Sequence, residues 1–219
     1  FTNARLSPMP SPVPTYPFRY TPPRIVTHSP AHTTRAVCRA KKVLEGLVYD
    51  TVALEDNPFT FPEVKTLLDG ITVGGHTLSD EKQVLNQAKS WKELFGLVER
   101  SHFELTKKSF VTLNALVAEE EALEWGKFRT GHVSIAGTNH APPPAELLDG
   151  IFNEGIAKIC QIPNPHERAI VFFLFGSLQQ FFWDGNTRTS RLMMNGVLLS
   201  HGYDVINTLP RKSWSSTKK

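Results

Sequence analysis

The residues best suited to chemistry lie in one stretch, QFFWDGNTRTSR, residues 180–191. A helix that starts near Asn186 already carries about half a positive charge at its N-terminus, with unpaired amides. This one adds Arg188 and Arg191, three apart on one face of its first turns. Such a placement is unfavourable unless an anion neutralises it. The Gly185-Asn186-Thr187-Arg188 turn can offer successive amides to a phosphate, with Arg188 and Arg191 reaching further phosphates. Asp184, at the mouth of the turn, can hold a magnesium ion bridging phosphate oxygens. A purely local role, with Asp184 capping the helix and the arginines pairing with carboxylates, fits the same residues equally well.

The elements that must position this turn are legible from apolar spacing. Val37, Ala40, Leu44, Leu47, Val48 and Leu54 predict an amphipathic helix over 35–54. Pro62-Glu63-Val64 reads as a helix start and Gly74-Gly75 as a turn. Ser79 is expected to cap a helix running to about residue 100 with Val84, Ala88, Trp91, Phe95 and Val98 on one face. A further helix carries Phe110, Leu113, Leu116 and Val117. From Phe128 to Ala141 the pattern becomes strand-like, Val133 and Ile135 alternating with polar residues and Gly137-Thr138-Asn139 forming the tip of a hairpin. Pro144 opens a helix through Ile159. The segment 165–182 is apolar almost all round and is expected at the centre of the bundle. Asp184-Gly185 breaks it, and a last helix runs from near Asn186 to His201-Gly202. The fold class is all-α with one small β-hairpin.

Composition bounds the rest. With 219 residues, 40% hydrophobic and 21% charged, the chain can bury one sizeable core. Residues 1–34 are proline-rich and basic, and are expected to be a disordered tail; 35–210 form the folded domain and 211–219 a polar basic tail. Residues 1–44 hold seven bases and no acid, which leaves 17 bases against 21 acids in the remainder. Nucleic-acid binding is therefore not expected of the folded part. No apolar run reaches the roughly 18 residues a membrane helix needs, so no membrane partner is expected. Cys38 and Cys160 have neither metal-ligand nor redox spacing, and a reducing, cytoplasmic location is expected, a secreted effector being the other reading.

The 180–191 stretch resembles the signature of the Fic (Fido) family, His-x-Phe-x-Asp/Glu-Gly-Asn-Gly/Lys-Arg-x-x-Arg. The likeness extends through LLDGITVGGHTLSDEKQVLNQA (67–88), GKFRTGHVSI (126–135) ahead of His140 and Ala141-Pro142-Pro143, and RTSRLMMNGVLLSHGY (188–203). The resemblance implies a Fic-type helical bundle with a β-hairpin flap, ATP and Mg²⁺ as cofactors, and transfer of AMP to a Ser, Thr or Tyr hydroxyl of a protein target. It implies that Asp184 is the metal ligand, that Gly185, Asn186, Thr187 and Arg188 form the anion hole, and that Arg188 and Arg191 contact outer phosphates. Phe182 matches the aromatic that packs the loop onto the core. Val133 and Ile135 fall on the flap that would pair with a target segment by strand addition, although burial beneath the hairpin accounts for them equally well.

Two positions depart from the signature. Gln180 stands where the family has its catalytic histidine, and an amide cannot take a proton from the target hydroxyl. Thr187 replaces Gly or Lys. Upstream, Thr51-Val-Ala-Leu-Glu55-Asp56 resembles the family's inhibitory Ser/Thr-x-x-x-Glu-Gly/Asn motif, with Asp56 at the last position. Thr51 and Glu55 would share one helical face, and Glu55 brought to Arg191 would compete with a γ-phosphate. The expected function is thus a nucleotide-binding Fic domain transferring AMP from ATP with impaired chemistry at Gln180; the alternative is a non-catalytic Fic domain that binds nucleotide or protein.

Overall fold

The computed structural model describes residues 32–135 and 137–209. The proline-rich head up to residue 31 and the basic tail from 210 lie outside the described residues. Eight α-helices are formed among those described: α1 Thr33–Lys42, α2 Leu44–Ala53, α3 Phe61–Leu68, α4 Leu78–Glu99, α5 Lys107–Val117, α6 Leu148–Ile159, α7 Pro165–Gln179 and α8 Asn186–Ser200. A single 3₁₀ turn, Ala145–Leu147, leads into α6.

Half of the helix starts, those of α3, α4, α5 and α7, follow from capping chemistry. Thr60 and Glu63 close a reciprocal box at α3, with Pro62 in its first turn. At α4 the cap is Thr77, bonded to the Asp80 amide while Asp80 reaches back, so Ser79 lies inside the helix. Asn164 accepts from the amides of His166 and Glu167 at α7. The single helix expected over 35–54 is two: the chain leaves helical geometry at Val43 (φ −112°, ψ 15°), so that α1 packs on α4 and α8 while α2 packs on α4 and α3.

The centre of the bundle is α8, not α7. Thirteen of the fifteen α8 residues are buried, whereas α7 buries Ala169, Phe172 and Gly176 and leaves the rest of its apolar surface half-covered or, at Leu178, open. Apolar content misleads here because α8 buries polar groups that find partners inside. Asn195, for one, bonds the Arg191 and Ile206 carbonyls and accepts from the Ile206 amide.

No strand forms among the described residues, so the hairpin expected over 128–141 is absent. The segment is irregular, and the alternation survives only as exposure, with Val133 and Ile135 half-buried and His132 and Ser134 exposed. That alternation reflects one side resting on the protein, without the cross-strand backbone bonds a hairpin needs.

Helices α7 and α8 carry the two ends of the 180–185 connection, and they approach each other tightly at Gly176. A Cβ there would lie 2.2 Å from Ser190 Oγ and 3.3 Å from Phe110 Cζ. Gly176→Ala is therefore expected to lower stability by about 1–3 kcal/mol through overpacking, read as a shift in the urea midpoint at unchanged slope.

Candidate functional site

The connection from α7 to α8 reverses the chain in six residues. Gln180 ends α7 in the left-handed region (φ 50°, ψ 63°) and Gly185 enters α8 from the same region (φ 71°). A side chain at Gly185 would also meet Val117 Cγ1 at 2.9 Å, so glycine is required twice over. Between them Phe181 and Phe182 turn inward and are fully buried. Their rings meet Phe110 at 5.9 and 4.7 Å, in a cluster that includes Phe128 and Phe152.

Asn186 closes the turn. Its Oδ1 accepts from the Phe182 amide at 2.8 Å, and its Nδ2 donates to the Phe182 carbonyl at 2.8 Å and to Gln180 Oε1 at 3.0 Å. Gln180 in turn donates through Nε2 to the Ser177 carbonyl at 2.7 Å. Both ends of the Gln180 amide are thus occupied within the turn. No side chain caps α8, whose first backbone bond runs from the Thr189 amide to the Gly185 carbonyl at 2.8 Å. The amides ahead of it form an open helix N-terminus.

Three side chains that the sequence did not single out hold this turn. Asn114, fully buried on α5, donates to the Asp184 carbonyl at 3.0 Å and accepts from the Gly126 amide at 3.0 Å. A lone Asn on a face otherwise made of Phe110, Leu113 and Val117 was the available signal. Arg129, 2% exposed, spends its guanidinium on main-chain carbonyls: Gln180 at 2.6 Å, Gly131 at 2.5 Å and Pro143 at 2.6 Å. Burial holds it below the usual arginine value. The third is Glu121, whose Oε2 lies 2.7 Å from Arg188 Nη1, the two side chains 6% and 2% exposed.

The sequence-selected charges do come together. Arg188 also reaches Asp184 at 3.4 Å, and Asp184 is half-exposed. Arg191 is buried, yet its Nε and Nη1 have no hydrogen-bond partner, and neither has Arg188 Nε. Glu55 lies not on a helical face but in the turn after α2, followed by Asp56 at φ 59°. That left-handed position suits Gly or Asn, and Asp is among the few other residues that tolerate it.

Glu55 forms no hydrogen bond or ion pair with either arginine, but it is close enough to feel both. Though one side meets solvent, the surrounding protein raises its carboxyl above the usual value, an effect opposed by Arg188 and Arg191 and reinforced by Asp184 and Glu121. Burial pushes the Arg191 guanidinium down, Glu55 opposing. Three acids therefore face two guanidiniums, a local balance of one negative charge. Val133 and Ile135 lie in the irregular segment, tied to the turn by Arg129 and by Gly131, where a Cβ would meet Trp183 Cη2 at 2.6 Å. Thr187 is half-buried in the first turn of α8. Among the described residues no group of three or more His, Cys, Asp or Glu could hold a metal, and no helix is long and apolar enough to cross a membrane.

Residues 100–198 match the model of the Fic/DOC family. The chain is 29% identical over 177 residues to protein adenylyltransferase Fic of Drosophila erecta, covering 77% of this chain and 35% of that one. It is 25% identical over 165 residues to protein adenylyltransferase fic-1 of Caenorhabditis briggsae, covering 71% and 32%. The chain thus spans about a third of the length of these relatives. Among solved structures, a Fic domain containing signaling protein from Bacteroides thetaiotaomicron superposes with a TM-score of 0.69 at 22% identity, covering 80% of this chain and 70% of that one. Fic-1 of Caenorhabditis elegans superposes with a TM-score of 0.68 at 22% identity, covering 84% and 55%. These two likenesses are of fold.

The charge arrangement carries a pH dependence. Glu55 loses its negative charge as pH falls through its raised value, above the ordinary 4.5, and an anion at Arg191 then meets less repulsion. Glu55→Gln should bind inorganic pyrophosphate more tightly than wild type at pH 7. The difference between the two proteins, measured by calorimetry at matched pH, should vanish on acidification.

Proposed function

We propose, from the match of residues 100–198 to the Fic/DOC family model, that this chain binds the phosphates of a nucleotide at the 184–191 turn. In this reading it transfers AMP from ATP to a protein hydroxyl, slowly because of Gln180. The observation that carries the reading is the buried Arg191 guanidinium, with Nε and Nη1 unpartnered beside the uncapped N-terminus of α8. Buried polar nitrogens of this kind are rare unless an anion completes them.

Each residue has a role that its chemistry supports. The Asn186, Thr187 and Arg188 amides receive the transferred phosphate, the Gly185 amide being already given to Asp184 Oδ1, and Arg191 takes an outer phosphate. Magnesium takes most of its ligands from phosphates and water, so one half-exposed carboxylate, Asp184, fits it without a dedicated protein cage. When bound it supplies charge neutralisation between phosphate oxygens. The hydroxyl oxygen of the target attacks the α-phosphorus, the bond to the β-phosphate oxygen breaks, pyrophosphate leaves, and the hydroxyl proton must depart. Gln180 cannot accept that proton: it is an amide, and its two ends are held by Ser177 and Asn186. The proton goes to water instead, a loss of about 10²- to 10⁴-fold relative to a positioned base.

Residues 132–135 form no backbone hydrogen bonds within the described structure, which supports their use as an edge to which a target strand adds through its main chain, Val133 and Ile135 keeping to the covered side. A second reading, a Fic domain that binds nucleotide or protein without transfer, is favoured by the full hydrogen bonding of Gln180 inside the turn.

Millimolar Mg-ATP should raise the melting temperature, and Arg191→Ala should remove most of the shift. Gln180→His combined with Glu55→Gly should then deposit label from α-labelled ATP on protein at a rate about 10²-fold or more above the Glu55→Gly single variant. Ligand-dependent stabilisation without any label from the double variant decides for the binding module.

A further inference from the structure

The two arginines of the turn are unequal. Arg191 has nitrogens without partners, whereas Arg188 is already engaged by the Glu121 carboxylate. Glu121 is the third of three consecutive glutamates. Glu119 and Glu120 reach outward to Lys89 and Lys82 on α4, and Glu121 alone is turned inward.

Glu121 is held there from behind. Its Oε1 accepts from Asn86 Nδ2 at 2.9 Å, and the same Asn86 donates to the Glu119 carbonyl at 2.8 Å, fixing the local backbone. Gln83 Nε2 approaches Glu121 Oε2 at 3.4 Å, and Gln83 Oε1 accepts from Asn57 Nδ2 at 2.9 Å. Asn57 follows Glu55 by two residues and ties its own turn to the Asp80 carbonyl at 3.0 Å. One polar chain, Asn57 to Gln83 to Glu121 to Arg188, therefore crosses α4 and joins the turn that bears Glu55 to the turn that would bind phosphate. A buried carboxylate this well supported does not leave its arginine without cost.

We propose that Glu121 is an internal counter-anion that competes with phosphate for Arg188 and so sets the anion affinity of the 184–191 turn. This rests on the phosphate-binding function above, and it makes Glu121 a specificity-determining residue rather than a mere support. With Arg188 neutralised, the turn offers one free guanidinium and its amides, enough for one phosphate group. A longer polyphosphate gains Arg188 only by displacing Glu121. A supporting role would predict the opposite sign: removing Glu121 would release Arg188 from its place and weaken binding.

The test is calorimetric titration of inorganic pyrophosphate, and separately of Mg-ATP, into the full chain as wild type, Glu121→Gln, Glu121→Asp, Arg188→Gln and the Glu121→Gln, Arg188→Gln pair, each first checked by thermal melt. Glu121→Gln should tighten pyrophosphate binding about tenfold at low ionic strength, the order expected when one unit charge is removed a few Å away in a partly solvated site. Glu121→Asp, which keeps the charge and shortens its reach, should give a smaller gain. The gain should disappear when Arg188 is also replaced. Equal or weaker binding by folded Glu121→Gln overturns the proposal, as does a gain that persists without Arg188. If Glu121→Gln does not fold, Glu121→Asp decides by the same sign. Pyrophosphate binding with the expected gain but no Mg-ATP binding would retire the nucleotide reading and leave the role of Glu121 standing. Absence of both from every variant would remove the two together.

Discussion

A helix that is to face an anion must leave its first amides unpaired, so the chain leading into it has to be held by something other than a cap. Asn186 meets that constraint. It is the first residue of α8, yet its side chain points backward and binds both main-chain groups of Phe182. The turn is thereby closed from within the helix. Everything upstream follows: two phenylalanines can be driven into the aromatic cluster, Gly185 takes the left-handed conformation, and the Asp184 carbonyl is set for Asn114. The close approach of α7 and α8 at Gly176 supplies the scaffold, but Asn186 fixes the path between them.

Electrostatics then works against the opening so created. Arg188 and Arg191 are buried within one helical turn of each other, and like charges so placed repel more strongly than at the surface. The fold answers with carboxylates of graded commitment: Glu121 in direct contact and dry, Asp184 at longer range and half-wet, Glu55 near but uncoupled by any bond. In the phosphate-binding reading proposed above, the gradation sets which acid would yield first to an incoming anion. Glu55 needs only to move, whereas Glu121 must break a supported ion pair.

Much of the architecture could be read from residue order because helix ends are written in local chemistry. Asn164-Pro165 and Thr60 with Glu63 act within four residues of themselves. Errors arose where a long-range partner decides. The burial of α8 depends on polar groups finding carbonyls and carboxylates elsewhere, which apolar periodicity does not register. The alternation at 132–135 signals one covered side and was mistaken for strand pairing, although no strand is present among the described residues. The loop charges were legible because they cluster within eight residues, while Glu121, 67 positions from Arg188, sits in an acidic run in which nothing local distinguishes the one that turns inward. The glutamate after α2 was placed on a helical face because its four-residue spacing from Thr51 was read as helical, whereas α2 ends at Ala53.

Arg129 anchors the irregular segment by gripping main-chain oxygens alone, at Gln180, Gly131 and Pro143. Carbonyls are the same whatever side chain they carry, so this grip is blind to the amino acids exposed at 132, 134 and 137–141. Substitutions at those positions leave these three bonds in place, although His140 adds a bond of its own to the Leu178 carbonyl. The segment is thus held by its main chain where it meets residues 180–191, and that hold leaves its outward side chains uncommitted.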